Sequence, residues 1–331
     1  MYYFSLARTA LKVGIRLYGY KKNSVILIPN FLCDSISSSL YEENINIVTY
    51  DLFDNLQPNW DELNTLCTKY DVFAVLMVHY FGQPQLINKF QDICNKYQTL
   101  LIEDNAHGYG GKYNGKDLGT YGDIGIASPR KFLDISYGGK LYLKESSLGI
   151  NSASVNIYPS LRFSLNDKLK KIIRYFPRFS LFLKNVKFSR INFSDPYCFH
   201  EGIKEDRYLS ESDINLINMV DWDAISCQRR KLWVEWEKFS RSHGLSPIFD
   251  KIWPDSNPWC YPVYTENIKH RNEWINWGIK YKVHLFPWPS LPSLEIEKKT
   301  PAFRKWERIL CFPLDSLSPR KLCDAAKSTT I

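Results

Sequence analysis

The chain has 331 residues, of which 44% are apolar and 15% aromatic, and its formal net charge is +8. This composition is typical of a globular protein with a large core and excludes a disordered or fibrous chain. No apolar run is long enough to span a membrane, and the first residues lack the basic and apolar regions of a secretion signal. We therefore expect a cytoplasmic protein.

The eight cysteines never form a CxxC pair, so the sequence predicts reduced thiols and neither a zinc ribbon nor another metal site. The positive charge suits an anionic small substrate, a nucleic acid or a lipid headgroup equally well. Because no helix-turn-helix, zinc or RNP signature accompanies the charge, we do not expect a nucleic-acid partner.

Strand-like and helical segments alternate through the first 145 residues. The predicted strands are VILIP (25–29), NIVTYDL (46–52), VFAVLMV (72–78), TLLIED (99–104), IGIAS (124–128) and KLYL (140–143), and the predicted helices are 6–18, 34–43, 59–69 and 86–97. This alternation predicts right-handed crossovers and an α/β fold with a mainly parallel central sheet and helices on both faces. Residues 1–150 are expected to form the large, ligand-binding domain.

Residues 151–210 have a different character. The stretch 162–190 holds nine Lys or Arg residues and one acid, interleaved with aromatic residues. Three interpretations stay open for it: a solvated excursion, an interfacial segment that contacts anionic lipid, and a lid over a nucleotide diphosphate.

The last part, 211–331, is predicted to contain a long helix and a smaller C-terminal α+β domain. The helix is expected from 211 to about 243. The domain that follows includes YPVY (261–264), a helix near 267–278 and YKVHLF (281–286).

The strand TLLIED ends abruptly in two carboxylates, Glu103 and Asp104. An apolar run that stops in this way predicts a buried parallel strand whose carboxyl end lies at the ligand-binding edge of the sheet. A cofactor that stabilises carbanions through a protonated pyridine ring requires a carboxylate, a lysine that forms a Schiff base, and donors for a phosphate. Asp104 is the candidate carboxylate and Lys131 the candidate lysine.

The phosphate donors are predicted from two other segments. Ser128 ends the strand before Lys131, and Arg8 and Thr9 open the first helix, whose free amides and positive dipole end favour a phosphate. Arg130 is a further candidate. Simpler interpretations remain: Asp104 as a helix cap, Lys131 as a solvated loop lysine and Ser128 as an ordinary strand-end serine.

Several motifs in shared order resemble the DegT/StrS family of pyridoxal-phosphate-dependent nucleotide-sugar aminotransferases, which have the type I aminotransferase fold. The family's ED-x-A-[HQ] motif matches Glu103, Asp104, Ala106 and His107, and its H-x-[YF]-G turn matches residues 79–82. Its lG-x-x-Gd-i segment matches 118–124, and its Gly-Gly pair, seven and eight residues after the Schiff-base lysine, matches 138–139. Weaker matches are Gln228-Arg229-Arg230, HLFPWP (284–289) and RILCFPLD (308–315).

The resemblance implies pyridoxal 5'-phosphate as cofactor, held by Lys131, Asp104, His107, Ser128 and the residues of the first helix. It also implies transfer of an amino group, from glutamate, to a keto sugar linked to a nucleotide, in surface polysaccharide biosynthesis. A homodimer with a shared active site is implied as well.

The chain departs from the family at several positions. Cys33 stands where the family has an aromatic residue that packs on the cofactor ring, so ring packing must be supplied otherwise. The phosphate segments read S-P-R-K and Ala7-Arg8-Thr9 instead of the common forms, and the family's preceding residues are missing at the N-terminus. The substrate is therefore less determined than the cofactor.

Three alternatives stay open. A dehydratase relative carries histidine in place of the Schiff-base lysine, which the retained Lys131 disfavours. A non-catalytic member would bind cofactor or sugar nucleotide without turnover. A membrane-surface protein of glycan assembly would use 162–190.

Overall fold

The computed structural model describes residues 2–144, 188–199 and 205–314. The strands are β1 (Tyr2–Phe4), β2 (Val25–Pro29), β3 (Asn46–Tyr50), β4 (Val72–Val78), β5 (Leu100–Asn105), β6 (Lys112–Tyr113), β7 (Lys116–Asp117), β8 (Ile124–Ala127), β9 (Gly139–Leu143), β10 (Ser246–Pro247), β11 (Cys260–Tyr264) and β12 (Ile309–Pro313). The α-helices are α1 (Ala7–Leu17), α2 (Asp34–Glu42), α3 (Trp60–Lys69), α4 (Ile87–Tyr97), α5 (Glu211–Met219), α6 (Trp222–Ser242), α7 (Ile268–Lys280), α8 (Ser293–Glu297) and α9 (Pro301–Arg308).

A seven-stranded sheet in the order β1-β9-β8-β5-β4-β2-β3 organises the first part of the chain. The pairs from β3 through β2, β4 and β5 to β8 are parallel, and β9 joins β8 and β1 in antiparallel pairing. Strands β2 and β4 are apolar and largely buried, as expected for parallel strands with helices on both faces, whereas β5 carries polar residues at its carboxyl end. The predicted mainly parallel α/β architecture is confirmed.

Helix α1 packs very closely on one face of the sheet, against β8 and β9. A Cβ on Gly139 would lie 2.2 Å from the backbone carbon of Leu6, and one on Gly14 would lie 2.6 Å from the Ile124 side chain. Only glycine permits these two approaches. The start of α1 is therefore held directly over the end of the sheet where β5 and β8 finish.

The C-terminal part has its own small antiparallel sheet, in the order β10-β11-β12. Helices α6 and α7 pack on it around a second cluster of buried side chains, including Trp233, Trp236 and Trp274. The main core nevertheless also includes residues of this part, such as Trp288 and Trp306. The smaller C-terminal α+β portion therefore packs continuously against the large sheet.

The predicted helix from 211 to 243 is two helices in the structure. Val220 has extended backbone angles, and the Asp221 side chain accepts a hydrogen bond from the Ala224 amide at 2.9 Å. An aspartate in this position starts a new helix, because its carboxylate accepts a hydrogen bond from an amide of the first turn, which has no carbonyl partner within the helix.

The segment 281–286 pairs with β12 only through a bridge between Phe286 and Cys311. Within the described ranges, no helix is both long and apolar enough to cross a membrane. Residues 162–187 of the basic aromatic stretch lie outside those ranges, so the three interpretations of that stretch stay predictions.

Candidate active site

A cavity of about 500 Å³ opens where β4, β5 and β8 end and α1 begins. Seven of the eight predicted site residues line it: Arg8, Cys33, Asp104, His107, Ser128, Arg130 and Lys131. They come from four separate segments of the first 131 residues. The topology of a parallel sheet brings them together, because the carboxyl ends of its strands meet along one edge.

Asp104 is a buried carboxylate at the end of β5, with 5% of its surface exposed. The Ala106 amide donates a hydrogen bond to its Oδ1 at 2.8 Å. Burial raises the pKa of Asp104, while the Ala106 amide and the positive charge of Lys131 oppose that rise. A carboxylate in this setting is stabilised by a cation that enters the cavity, such as a protonated ring nitrogen.

Lys131 reaches the same cavity from a short 3-10 turn, Pro129–Lys131, that follows β8. Its ammonium lies 4.5 Å from the ring centroid of Trp259. Burial lowers the pKa of Lys131, and the neighbouring Arg130 lowers it further, against the attraction of Cys33 and Asp104. The lowered pKa increases the fraction of neutral amine, the form that attacks a carbonyl carbon.

His107 forms part of the cavity wall as a neutral ring. Burial lowers its pKa well below the usual value, and the charge of Lys131 acts in the same direction. The Phe81 amide points at Nδ1 from 3.4 Å, so Nδ1 is the acceptor and Nε2 carries the hydrogen. A neutral imidazole with an Nε2 donor suits an oxygen atom of a bound ring.

Phe81 holds the His107 ring through an uncommon backbone conformation, with φ at 55°. Its carbonyl accepts a hydrogen bond from the Trp259 amide at 3.1 Å. The same residue therefore orients His107 through its amide and Trp259 through its carbonyl. Conformations of this kind in non-glycine residues are concentrated at functional sites.

The first turn of α1 offers amides to the cavity. Its N-cap residue, Leu6, makes no side-chain cap, and the turn contains no acidic residue. Leu6, Ala7 and Arg8 line the cavity together with Ser128 and Arg130. Uncapped helix amides, two guanidinium groups and a hydroxyl form a combination that binds phosphate.

Thr9 is the predicted site residue that the structure does not bring to the cavity. Its hydroxyl donates a hydrogen bond to Asp206 at 2.8 Å. Asp206 also forms an ion pair with Lys12 at 2.6 Å. Thr9 therefore links α1 to the segment before α5, and its predicted phosphate contact has no support in the geometry.

Cys33 precedes α2 at the position where the resemblance predicts an aromatic residue. Its sulfur lies 3.4 Å from the Ser290 hydroxyl and accepts a hydrogen bond from Ser35 at 3.3 Å. The thiol therefore lines the cavity as part of a small polar contact and supplies no ring surface.

The C-terminal part contributes most of the aromatic surface, which the sequence did not predict. Trp259, Phe286, Trp288 and Ser290 line the cavity, as do Phe188 and Phe199. The His107 ring lies 4.6 Å from Trp259 and 5.2 Å from Trp288, measured between ring centroids. The tryptophan in HLFPWP, Trp288, was visible in the sequence, but no sequence pattern indicated that it lines the cavity of Lys131.

The other carboxylate of the pair, Glu103, is a structural group on the opposite side of β5. It accepts hydrogen bonds from the amides of Gly119, Tyr121 and Gly122 at 2.6, 2.6 and 2.9 Å, and from His79 Nε2 at 2.8 Å. Burial raises the pKa of Glu103, but these bonds and the His79 ring outweigh it and the pKa falls. Glu103 thereby anchors the 118–123 segment to the strand that carries Asp104.

His79 is held in one tautomer by the same network. The Gln85 amide donates to Nδ1 at 3.1 Å, so the hydrogen lies on Nε2 and is donated to Glu103. Because both ring nitrogens are engaged within the protein, His79 positions β4 against β5 and is not a free acid or base of the cavity.

Residues 4–150 match the model of the DegT/DnrJ/EryC1/StrS aminotransferase family. GDP-perosamine synthase from Vibrio cholerae is 27% identical over 120 residues, which are 36% of this chain and 32% of that protein. UDP-4-amino-4,6-dideoxy-N-acetyl-beta-L-altrosamine transaminase from Campylobacter jejuni is 23% identical over 145 residues, or 43% of this chain and 39% of that one. The chain thus matches well under half of the length of these relatives.

Solved structures extend the likeness in fold to nearly the whole chain. The Helicobacter pylori aminotransferase PseC, involved in pseudoaminic acid biosynthesis, superimposes with a TM-score of 0.68 at 14% identity, covering 98% of this chain and 84% of that one. The PLP form of Spr1654 from Streptococcus pneumoniae gives a TM-score of 0.69 at 14% identity, covering 99% and 85%. At this identity the likeness shows the fold.

Proposed function

Since the chain is related over residues 4–150 to the DegT/DnrJ/EryC1/StrS aminotransferase family, we propose that it is a pyridoxal-phosphate-dependent aminotransferase. The observation that carries the proposal is the meeting of Lys131 and Asp104 in one cavity beneath the uncapped start of α1. A lysine amine, a buried carboxylate and a phosphate cradle are the three groups that this cofactor requires.

The residues present fit the cofactor. Asp104 would hold the ring nitrogen, the amides of α1 with Arg8, Arg130 and Ser128 would hold the phosphate, and His107 would donate to the ring oxygen. When bound, pyridoxal phosphate supplies an electrophilic carbon and an electron-accepting ring. Ring packing would come from the aromatic residues of the C-terminal part, because Cys33 has no ring to offer.

Lys131 is proposed to move the proton of the amino donor. Its amine has the lowered pKa that a general base near neutral pH needs, and Trp259 keeps it inside the cavity. Asp104 stays charged while it is paired with a cation, and His107 stays neutral, so neither competes for that proton. The apolar walls of Trp259, Phe286 and Trp288 exclude water.

The substrates are proposed by analogy with the relatives. GDP-perosamine synthase and the Campylobacter transaminase carry nucleotide sugars in their names. We accordingly propose a nucleotide-linked keto sugar as acceptor. Glutamate as donor and a role in surface polysaccharide biosynthesis are proposed from the resemblance of the sequence motifs to the family. A homodimer in the cytoplasm completes the proposal, and analytical ultracentrifugation tests its oligomeric part.

The test is a single-turnover half-reaction. Purified protein saturated with pyridoxal phosphate is mixed with glutamate, and the 2-oxoglutarate released is measured per active site. The proposal predicts about one equivalent from the wild type and from Lys144→Met, an exposed-lysine control, and none from Lys131→Met. Cofactor binding without any product from the wild type would refute it and would favour the non-catalytic alternative.

A further inference from the structure

A second cavity, of about 440 Å³, lies beside the edge of the sheet and shares no lining residue with the first. Its walls come from β7, β9, the segment after β5, and the junction between α5 and α6. Gly139 and Leu141 of β9 face α1, so Lys140 and Tyr142 project to the opposite face, into this cavity.

Lys140 is the central feature of the second cavity. Only 8% of its surface is exposed. Its ammonium lies 4.7 Å from the ring centroid of Tyr142, 5.3 Å from that of Tyr3 and 5.4 Å from that of Tyr109. No described residue accepts a hydrogen bond from it or forms a close ion pair with it. Burial lowers the pKa of Lys140, as expected for an amine that lacks a close acceptor.

Three tyrosine faces stabilise a cation but offer no acceptor for its N–H groups. An ammonium that is nine-tenths buried therefore leaves donors available to an oxygen atom inside the cavity. A carboxylate satisfies those donors and the charge together.

The mouth of the cavity has the opposite charge. Asp117, Asp221 and Asp223 line it together with Lys112, so the acids outnumber the base there. Asp223 is paired with Lys112 at 3.1 Å and Asp221 caps the Ala224 amide, which leaves Asp117 as the exposed acid within electrostatic range of Lys140. A simple anion would be repelled at this mouth, and a simple cation would be repelled at the floor.

We propose that this second cavity binds a small zwitterion of the α-amino acid class, with its carboxylate on Lys140 and its ammonium on Asp117. The cation at the floor and the acid at the mouth match the two charges of such a ligand. The site is separate from the proposed aminotransferase centre and does not depend on its chemistry.

The probe is N,N-dimethylglycine, whose tertiary ammonium cannot form an imine with a cofactor carbonyl. Its binding to the full chain loaded with pyridoxal phosphate is followed by saturation-transfer NMR of the N-methyl protons. Acetate carries the carboxylate alone and dimethylamine the ammonium alone. We expect the zwitterion to bind at least about threefold more tightly than either single-charge probe. The second charge of the zwitterion adds a Coulomb attraction to its partner side chain, which is worth about this factor across about 5 Å of water.

Two variants test the proposed contacts separately, one at the ligand carboxylate and one at the ligand ammonium. Lys140→Met should weaken binding of the zwitterion and of acetate by about tenfold. Lys144→Met, at an exposed residue directly after the same strand, should change neither. Asp117→Asn, on the exposed hairpin, should weaken the zwitterion but strengthen acetate. Far-UV circular dichroism and the melting temperature confirm that each variant is folded.

The decisive result is that Asp117→Asn weakens binding of the zwitterion and strengthens binding of acetate, because general damage to the fold would weaken binding of both. Equal binding of zwitterion and acetate, or binding that survives Lys140→Met, would overturn the proposal. Absence of probe binding to the wild type would overturn the proposal as well. This also holds if binding is absent because a second copy of the chain covers the mouth of the cavity.

Discussion

The two cavities each hold a lysine amine whose pKa is lowered by burial, yet they surround it with different groups. Lys131 shares its cavity with Asp104, His107 and the start of α1, so a carboxylate, a neutral donor and a phosphate cradle all converge on one amine. Lys140 is enclosed by tyrosine rings, with acids only at the mouth. A lowered pKa alone therefore does not identify a catalytic lysine; the groups that surround the lysine do.

The largest expected effect is the loss of Lys131. Lys131→Met should lower the rate of the glutamate half-reaction by about 10⁴-fold, because the amine is proposed to act both as general base and as the attachment point of the cofactor. Rapid-quench measurement of 2-oxoglutarate checks this, with Lys144→Met as the matched control. A variant that retains more than a tenth of the wild-type rate would remove Lys131 from the mechanism.

The next prediction compares the half-reaction rates of two variants, each of which replaces one acid in one of the two cavities. Asp104→Asn should lower the half-reaction rate by about 10³-fold, since the amide no longer stabilises charge on the ring nitrogen. Asp117→Asn, at the second cavity, should leave that rate within about twofold. If the two substitutions had equal effects on stopped-flow traces, Asp104 would have no special electrostatic role.

The structural role of Glu103 can be distinguished from the role of Asp104 by measuring the free energy of unfolding. Glu103→Gln should reduce the free energy of unfolding by about 3 kcal/mol, because it leaves His79 and three amides around a buried group with a mismatched donor. Urea denaturation of the apoprotein measures the change. A loss below about 1 kcal/mol would mean that Glu103 does not anchor the 118–123 segment.

Thr9 should have a smaller effect and should not affect the cofactor. Thr9→Val removes the hydrogen bond to Asp206 and should cost about 1 kcal/mol of stability. Its dissociation constant for pyridoxal phosphate should stay within about twofold of the wild type, whereas Arg8→Met should weaken that binding more. Fluorescence titration of both variants checks the contrast; the reverse order would restore Thr9 to the phosphate site.

The smallest expected effect is a pH dependence. Because burial raises the pKa of Asp104, the folded apoprotein binds this proton more tightly than the unfolded chain does. The proton therefore stabilises the fold at acidic pH, and that contribution is lost as the pH rises through the folded-state pKa. Asp104→Asn should accordingly raise the melting temperature at pH 7.5, by roughly 2 °C, and by less at pH 4.5. If the difference in melting temperature between Asp104→Asn and the wild type were larger at pH 4.5 than at pH 7.5, the predicted direction of the pH dependence would be wrong.

Six of the seven strands of the large sheet were predicted, because each combines an apolar run with turn-forming residues at its ends; β1 (Tyr2–Phe4) was missed. VILIP and VFAVLMV were predicted with the bounds that the structure has for β2 and β4. The predicted strand 99–104 is shifted by one residue from β5, Leu100–Asn105. Local periodicity determines such elements when both faces of a sheet are covered.

The site was predictable only where its residues are close in sequence to strand ends. Asp104 lies at the end of β5, and His107 and Lys131 follow β5 and β8 closely, so motif spacing located them. Trp259 and Trp288 reach the same cavity through long-range packing, and no local pattern encodes that. The break at Val220 was missed because helix-favouring residues continue on both sides, and the cap by Asp221 decides the boundary.

Lys131, and not Lys140, is proposed to hold the cofactor. The most direct measurement is borohydride reduction of the protein saturated with pyridoxal phosphate, followed by proteolysis and mass spectrometry of the modified peptide. We predict one phosphopyridoxyl group per chain, on Lys131. A modification on Lys140, or no fixed cofactor at all, would contradict the account.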